Sequence, residues 1–245
     1  MHFNARMTAE REYWQKSDFE RPGSWSLELL TLKMTEARVL LEKLARFEAD
    51  FTNNATIVEI GAGQAWGSCV VREQFPGSVV VATELAYEAL YTTPRWATVI
   101  GDHPTAKAAC ISEELPLRDG SVDLVFAFAA AHHFADMNKV MREISRVLRK
   151  GGVALFLHEP SSPRWINAAA VRRVNAKRPE VPENVLVSRD VAALATAAGL
   201  QCELHHAPTT TSRGAFETLY YLVLSHFAPL RYFLPCTMDY RITKV

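Results

Sequence analysis

The sequence has no excess of either charge: lysine plus arginine number 27, and so do aspartate plus glutamate. Without a net field, long-range attraction to nucleic acid or to anionic membranes does not organise this chain. Cysteine is scarce and dispersed, at Cys69, Cys110, Cys202 and Cys236. No two are spaced like a metal-binding or redox pair, which argues for reduced thiols and a cytoplasmic location. No apolar run reaches the roughly 20 residues that a spanning helix needs, and the opening Met-His-Phe-Asn-Ala-Arg lacks the apolar core of a signal peptide. Residues 1 to about 54 also lack repeats and low-complexity tracts, and the length suits one soluble α/β domain with appendages.

Glycine is sparing too, with 11 in 245 residues, so the pair Gly61 and Gly63 stands out. It closes the apolar part of Thr56-Ile-Val-Glu-Ile-Gly-Ala-Gly-Gln-Ala-Trp-Gly67. Ile57, Val58 and Ile60 are β-branched, as a strand buried on both faces prefers. The glycines permit a tight turn and close approach of backbone to a ligand, and the next helix presents its first N–H groups there. An empty strand-to-helix turn is the competing reading of this stretch alone. The helix runs from Trp66 to about Phe75, Pro76-Gly77 ends it, and Ser78-Val-Val-Val-Ala-Thr-Glu84 reads as a second buried strand finishing on an acid.

The alternation continues. A helix near Tyr87 to Tyr91 is cut by Pro94, Ala106 to Ile111 reads as strand three, and Val122 to Ala129 as strand four. Met137 to Lys150 is an amphipathic helix with Val140, Met141, Ile144, Val147 and Leu148 inward; Gly151-Gly152 stops it before strand five, Val153 to His158. This pattern predicts a doubly wound α/β fold with a mostly parallel sheet and right-handed crossovers. Pro160 to Val187 is rich in proline and arginine, Ser188 is placed as the N-cap of a helix ending at Gly199, Leu200 to His206 is strand six, and Met238 to Lys244 is the last strand. Residues 1–54 read as an N-terminal helical cap. Its longest helix runs from near Leu29 to Phe47, with Ala37, Leu40, Leu41, Leu44 and Phe47 as its apolar stripe. Tyr13, Trp14, Phe19 and Trp25, around a Pro22-Gly23 break, either cover a pocket or simply pack.

With these residues in view, the chain resembles the class I S-adenosylmethionine-dependent methyltransferases, in particular the small-molecule group with an acidic-x-Gly-x-Gly loop. Four pieces fall in the family's order: Glu59-Ile-Gly61-Ala-Gly63; Glu84 ending strand two; Glu113-Glu-Leu-Pro116 leading to Ser121-Val-Asp123-Leu-Val; and Arg146-Val-Leu-Arg-Lys-Gly151-Gly152 before strand five. The resemblance implies a Rossmann-like seven-stranded sheet with an antiparallel last strand, S-adenosyl-L-methionine as cofactor, and residues 55–245 as the catalytic domain. It also implies cofactor contacts at Glu59, Gly61, Ala62, Gly63, Glu84, Leu85, Ser112 and Glu113. Glu84, at the carboxyl end of its strand, suits a ribose diol, and Glu59 suits loop orientation or the ammonium of the amino-acid tail. The acid that the family often carries two residues before Glu-Glu-Leu-Pro is Ile111 here. A nicotinamide enzyme would place an acid about twenty residues past the loop in the same way; the third glycine it needs is Trp66, with Gly67 one place late, and a bulky indole argues against a dinucleotide.

Methyl transfer needs a positioned nucleophile and, for a hydroxyl, a base. His132 and His133, just past strand four, are the candidates, with a purely structural pair as the bland reading; His158 and Glu159 come second. His205 and His206 alternate across a strand without ligand spacing, so no metal is expected. Neither an Asn-Pro-Pro-Tyr nor an Asp-Pro-Pro-Tyr follows strand four and no basic-aromatic tract occurs, so a small-molecule acceptor, most simply at oxygen, is expected rather than nucleic acid. A catalytically silent binding or partner subunit is the alternative, with Ile111 as its motive. In the acceptor segment, about 160–187, Arg173 and Lys177 are spaced to share a helix face beside Arg172 and Arg178, as an anion clamp or a solvated run. The apolar insert, about 212–235, reads through 216–234 as an acceptor wall, a homodimer face, a peripheral membrane contact or packing on the sheet.

Overall fold

The computed structural model describes residues 3–17, 21, 24–177, 183–211 and 214–245. Phe19, Pro22, Gly23 and Arg178 lie outside them, as does the side chain of Lys177. The chain opens with α1 (Phe3–Lys16) and α2 (Leu27–Arg46), followed by β1 (Thr56–Ile60), α3 (Trp66–Gln74) and β2 (Val79–Glu84). Next come α4 (Tyr87–Leu90), α5 (Thr93–Ile100), β3 (Ala106–Ala109), β4 (Val122–Phe128), α6 (Met137–Val147) and β5 (Leu148–Ser162). The C-terminal part holds α7 (Asn167–Lys177), β6 (Leu186–Val187), α8 (Ser188–Ala197), β7 (Leu200–His206), α9 (Ala215–His226) and β8 (Cys236–Lys244).

The strands form one sheet in the order β3-β2-β1-β4-β5-β8-β7, with the short β6 paired to β5. β1 to β6 pair in parallel, whereas β8 runs antiparallel to both β5 and β7. The expected α/β sheet with an antiparallel last strand is therefore present. Its strand order reverses between β1 and β4, and in open α/β sheets the crevice at the carboxyl ends beside that reversal is where ligands bind.

Alternation along the strands divides the core. Ile57, Leu124, Phe126, Leu155 and Leu157 face α2, α3 and α5, with Leu40, Leu44, Val71 and Trp96. Val58, Val125, Ala127, Ala154 and Phe156 face α6 and α8, with Val140, Met141, Ile144, Val191 and Ala195. This is period two on a doubly covered sheet, and each fully buried aliphatic side chain contributes about 1.5–3 kcal/mol. Ion pairs tie the N-terminal segment to β8: Lys43 Nζ lies 2.8 Å and Arg46 Nη1 3.4 Å from Asp239 Oδ2, and Arg241 grips Asp50 through both carboxylate oxygens at 2.7 and 2.8 Å.

Several local expectations need correction. Pro94 opens α5 rather than merely ending α4, because proline's missing N–H costs nothing in a first turn. Gly151-Gly152 does not stop α6. That helix ends at Val147, and the glycines already lie in β5, where a side chain at Gly152 would sit 2.9 Å from the Arg149 carbonyl. Ser188 is not an N-cap: α8 begins with it, and its hydroxyl meets Tyr240 Oη at 3.1 Å. Leu41 leaves the buried stripe of α2 and is exposed, while Ala37, Leu40, Leu44 and Phe47 remain buried. Among the described helices none is long and apolar enough to cross a membrane.

Candidate active site

One cavity of about 860 Å³ opens at the carboxyl ends of β1, β2, β4 and β5. Gly61, Gly63 and Ala65 all take positive φ, at 66°, 53° and 59°, so the chain after β1 makes a tight left-handed passage. Gly61 is needed there for a second reason: a Cβ would come 2.9 Å from the Cβ of Ala130, on the loop after β4. Gln64 anchors the passage by accepting the Trp96 indole N–H at 2.5 Å. Glu84 holds the other side, one carboxylate oxygen accepting the Gly63 N–H at 2.8 Å and the other the Ala86 N–H at 3.0 Å. The Glu84 carboxylate thus ties the glycine loop to the end of β2, and both border the same cavity.

Glu59, Gly61, Ala62, Gly63, Glu84, Leu85, Ser112 and Glu113 all line this cavity, as does Ile111. Glu59 lies deepest. Ser68 Oγ donates to it at 2.5 Å, and burial, the dominant cause, pushes its carboxyl from an ordinary 4.5 up to about 8. Gly67 explains itself here, since a Cβ at that position would stand 2.5 Å from Glu59 Oε1. The glycine that is one place late for a dinucleotide is where the acid needs room. Glu113 is partly committed elsewhere, because it accepts the Asp136 N–H at 2.9 Å at the start of α6.

Tyr13 and Trp14, which the sequence leaves as covering a pocket or simply packing, both line the cavity, whereas Lys33 carries no sequence signal as a site residue. Trp14 of α1 packs onto the glycine loop, its ring 3.1 Å from where a Cβ on Gly63 would be, and Met7 and Tyr13 line the cavity beside it. Lys33 of α2 also faces the cavity, with its ammonium 2.9 Å from Glu36 and 5.9 Å from the Trp66 ring centroid. No local motif marks Lys33 as facing this space. Trp25 instead packs at a tilt against Trp96, with ring centroids 4.9 Å apart, outside the cavity lining.

Opposite the glycine loop, His132 and His133 sit in a short turn after β4, with ring centroids 4.1 Å apart. His132 is buried, and Nδ1 lies 2.8 Å from Glu159 Oε2. That carboxylate also accepts the backbone N–H groups of Ala130, Ala131 and His132, at 2.9, 2.9 and 3.1 Å. A group collecting so many donors is the acceptor toward Nδ1 as well, so Nδ1 carries the proton and Nε2 is the basic nitrogen. Burial, aided by His133, lowers the His132 pKa and keeps the ring neutral near pH 7. His158 lines the same cavity, stacked on Phe128 with centroids 5.4 Å apart and planes within 6°.

The remaining wall comes from Ile166, in the turn before α7, and from Ala169, Ala170, Val174, Tyr220 and Tyr221 of α7 and α9. Arg173 reaches it but is 68% exposed and faces Glu217 at 3.7 Å, so of its two readings, anion clamp or solvated run, the clamp would meet an acid of the chain itself. Asn175 fixes Glu183 at the rim, accepting its N–H at 2.7 Å and donating to its carbonyl at 3.0 Å. Of the apolar insert, one face of α9 lines the cavity and Leu224 is buried, whereas Phe216, Leu219, Phe227 and Tyr232 project into solvent. Plain packing on the sheet therefore does not describe the insert.

A doubly wound sheet with an antiparallel β8 and an acid-backed glycine loop at its switch point is the architecture of the class I methyltransferases. Residues 58–156 match the family described as "Methyltransferase domain". The chain therefore contains a methyltransferase domain of the class I S-adenosylmethionine-dependent kind. It is similar to the malonyl-(acyl-carrier protein) O-methyltransferase of Gallionella capsiferriformans (strain ES-2), with 26% identity over 125 residues, 49% of this chain and 43% of that one. It spans less than half the length of such curated relatives. The geranyl diphosphate C-methyltransferase of Streptomyces coelicolor A3(2), solved with Mg2+, geranyl diphosphate and S-adenosyl-L-homocysteine, superposes with a TM-score of 0.70. That superposition covers 98% of both chains at 16% identity, and the YcgJ protein of Bacillus subtilis gives 0.61 over 84% of this chain at 17% identity.

Proposed function

We propose that the protein is a cytoplasmic S-adenosylmethionine-dependent methyltransferase acting on a small molecule at oxygen. The observation that carries this reading is the pairing of two features across one cavity: the glycine loop held by Glu84, and a neutral imidazole whose tautomer is fixed by Glu159. The residues present fit the cofactor, because the left-handed passage at Gly61 and Gly63 leaves room for it and the cavity supplies groups of both charges. Glu84 would take the ribose hydroxyls, Gly61 to Gly63 would border the amino-acid tail, and Lys33 would answer its carboxylate and Glu59 its ammonium. Ser112 and the backbone at Ile111 and Glu113 would border adenine. When bound, the cofactor supplies a methyl group already activated by a positively charged sulfur. Residues 1–54 then act as a cap, with Trp14 covering the loop.

His132 takes the proton of the acceptor hydroxyl at Nε2, while Glu159 holds Nδ1–H and stabilises the cation that forms. His133 lies against His132 and narrows the approach. The aliphatic and tyrosine lining from α7 and α9 supports an acceptor with an apolar body, entered past His158 and Arg173. A catalytically silent subunit would have no use for so completely oriented a base. Incubation with labelled S-adenosylmethionine and fractionated cell extract, followed by identification of the labelled product, tests the proposal directly. Calorimetry that detects no S-adenosylmethionine binding would end it.

A further inference from the structure

β5 does not keep its alternation to the end. Leu155 and Leu157 face one side of the sheet and Ala154 and Phe156 the other, so regular pleating would put His158 with Phe156 and Glu159 with Leu157. The opposite is found. His158 stacks on Phe128, which belongs to the side of Leu157. Glu159 takes the amides of Ala130 and Ala131, which belong to the side of Phe156. The exchange occurs where the β5 and β8 register shifts, between Phe156 and Glu159, with His158 at φ 62°. A one-residue irregularity swaps the faces of every later residue in a strand, and a non-glycine residue at positive φ persists only where its surroundings enforce it.

The enforcing contacts are visible. The irregularity takes His158 N–H out of the regular ladder, and the donor is satisfied by Asp239 Oδ1 at 2.9 Å. The other oxygen of Asp239, which is wholly buried, meets Lys43 Nζ at 2.8 Å and Arg46 Nη1 at 3.4 Å from α2. Buried ion pairs seldom add stability over apolar residues of the same size, so one placed against a strained amide calls for another reason.

We propose that Asp239, held by Lys43, is a positioning residue for the base: it fixes the bulge at His158 and thereby turns the Glu159 carboxylate onto His132. The inference rests on His132 being the base, and its structural content is measurable without cofactor or acceptor. Two double variants separate the acceptor atom from the ion pair. Lys43→Met with Asp239→Asn removes both charges and keeps an oxygen for His158 N–H; Lys43→Met with Asp239→Val removes the oxygen as well. Side-chain 15N correlation spectra read the His132 tautomer, and hydrogen exchange reads the Ala130–His132 amides. The asparagine pair is expected to keep the Nδ1–H signature and slow exchange. The valine pair is expected to lose the signature and exchange those amides at least tenfold faster while the β1–β2 amides stay protected. A folded valine pair with wild-type spectra at His132 overturns the proposal, as does an asparagine pair that loses them. Should the valine pair not fold, Asp239→Glu keeps the charge and displaces the oxygen; shifted His132 signals support the proposal and unchanged ones refute it. Calorimetry on the unaltered protein is a separate readout: if S-adenosylmethionine fails to bind while the His132 results hold, the functional reading falls and the positioning role stands.

Discussion

Replacing Glu59 by glutamine should stabilise the protein, and by an amount that grows with pH. The Glu59 carboxyl is 4% exposed, and burial raises it from 4.5 to about 8, with the nearby acid Glu84 pushing the same way. Since the folded value lies above the unfolded one, the associated stability is complete below pH 4.5 and is lost as pH rises toward 8. The loss runs at about 1.4 kcal/mol per pH unit, so at pH 7 it amounts to about 3 kcal/mol. Glutamine has nearly the same shape, and its carbonyl still accepts from Ser68 Oγ, but it never has to ionise. The Glu59→Gln variant should therefore exceed the parent by up to about 3 kcal/mol at pH 7 and converge with it near pH 5. Urea unfolding at unit steps from pH 5 to pH 8, without cofactor, measures the gap. His132 and His206 also have lowered pKa values, but both proteins contain them, so they cancel from the difference. Parallel curves across that range would show that Glu59 is not carried as an acid. The same variant should bind S-adenosylmethionine more weakly, because the stored proton would no longer give way to a carboxylate facing the ammonium.

Three further substitutions probe the loop. Glu84→Ala removes the acceptor of the Gly63 and Ala86 amides, and a loss of roughly 10- to 100-fold in S-adenosylmethionine affinity is expected by calorimetry; an affinity within twofold of the parent would remove the ribose assignment. Gly67→Ala forces a methyl group to within 2.5 Å of Glu59 Oε1 and should cost about 1–3 kcal/mol in denaturant unfolding. Combining it with Glu59→Ala should recover part of that loss, and strict additivity of the two changes would contradict the contact. Lys33→Met keeps the stem that runs beside Trp66 and deletes the charge, so binding of S-adenosylmethionine should weaken roughly tenfold and lose salt dependence. If 5′-methylthioadenosine, which has no amino-acid tail, weakens by the same factor, Lys33 does not meet the carboxylate.

The parallel sheet is legible in the sequence because its signals are local. β-branched runs, Gly61 and Gly63, and the inward stripe of α6 each specify their own element, and Val140, Met141, Ile144 and Val147 are buried as the helical spacing predicts, whereas Leu148 is buried as the first residue of β5. The glycine loop is legible for the same reason. The features that sequence does not reveal depend on distant partners. Asp239 and Lys43 lie 196 residues apart, and nothing in Val153 to His158 announces a bulge, because strand register is decided by β8. Even Gly67 shows in the sequence only as a spacing, since its purpose is the carboxyl of Glu59 on a neighbouring element. Pro94 reads as a breaker when it is equally a starter, an ambiguity that no single residue resolves.

The family match ends at Phe156, and that boundary divides the cavity in a way that bears on the acceptor. Everything that lines the glycine-loop side between Glu59 and Glu113 lies within the match, and so do His132 and His133. Glu159 lies three residues beyond it. Arg173, Tyr220 and Tyr221 come from α7 and α9, which pack at the open end. The similarity to relatives therefore bears on the half of the site that would hold the cofactor, while the half that would select an acceptor is built from segments outside it. Those relatives are named for a malonyl group on a carrier protein and for a diphosphate, both anionic. Here the described arginine on the α7–α9 side of the cavity already faces Glu217, and most of that wall is aliphatic or tyrosine. An anionic head would have to displace Glu217 before Arg173 could bind it, whereas an uncharged hydroxyl on an apolar body needs no such exchange. The chemistry of this wall, rather than the names of the relatives, is what favours a neutral acceptor.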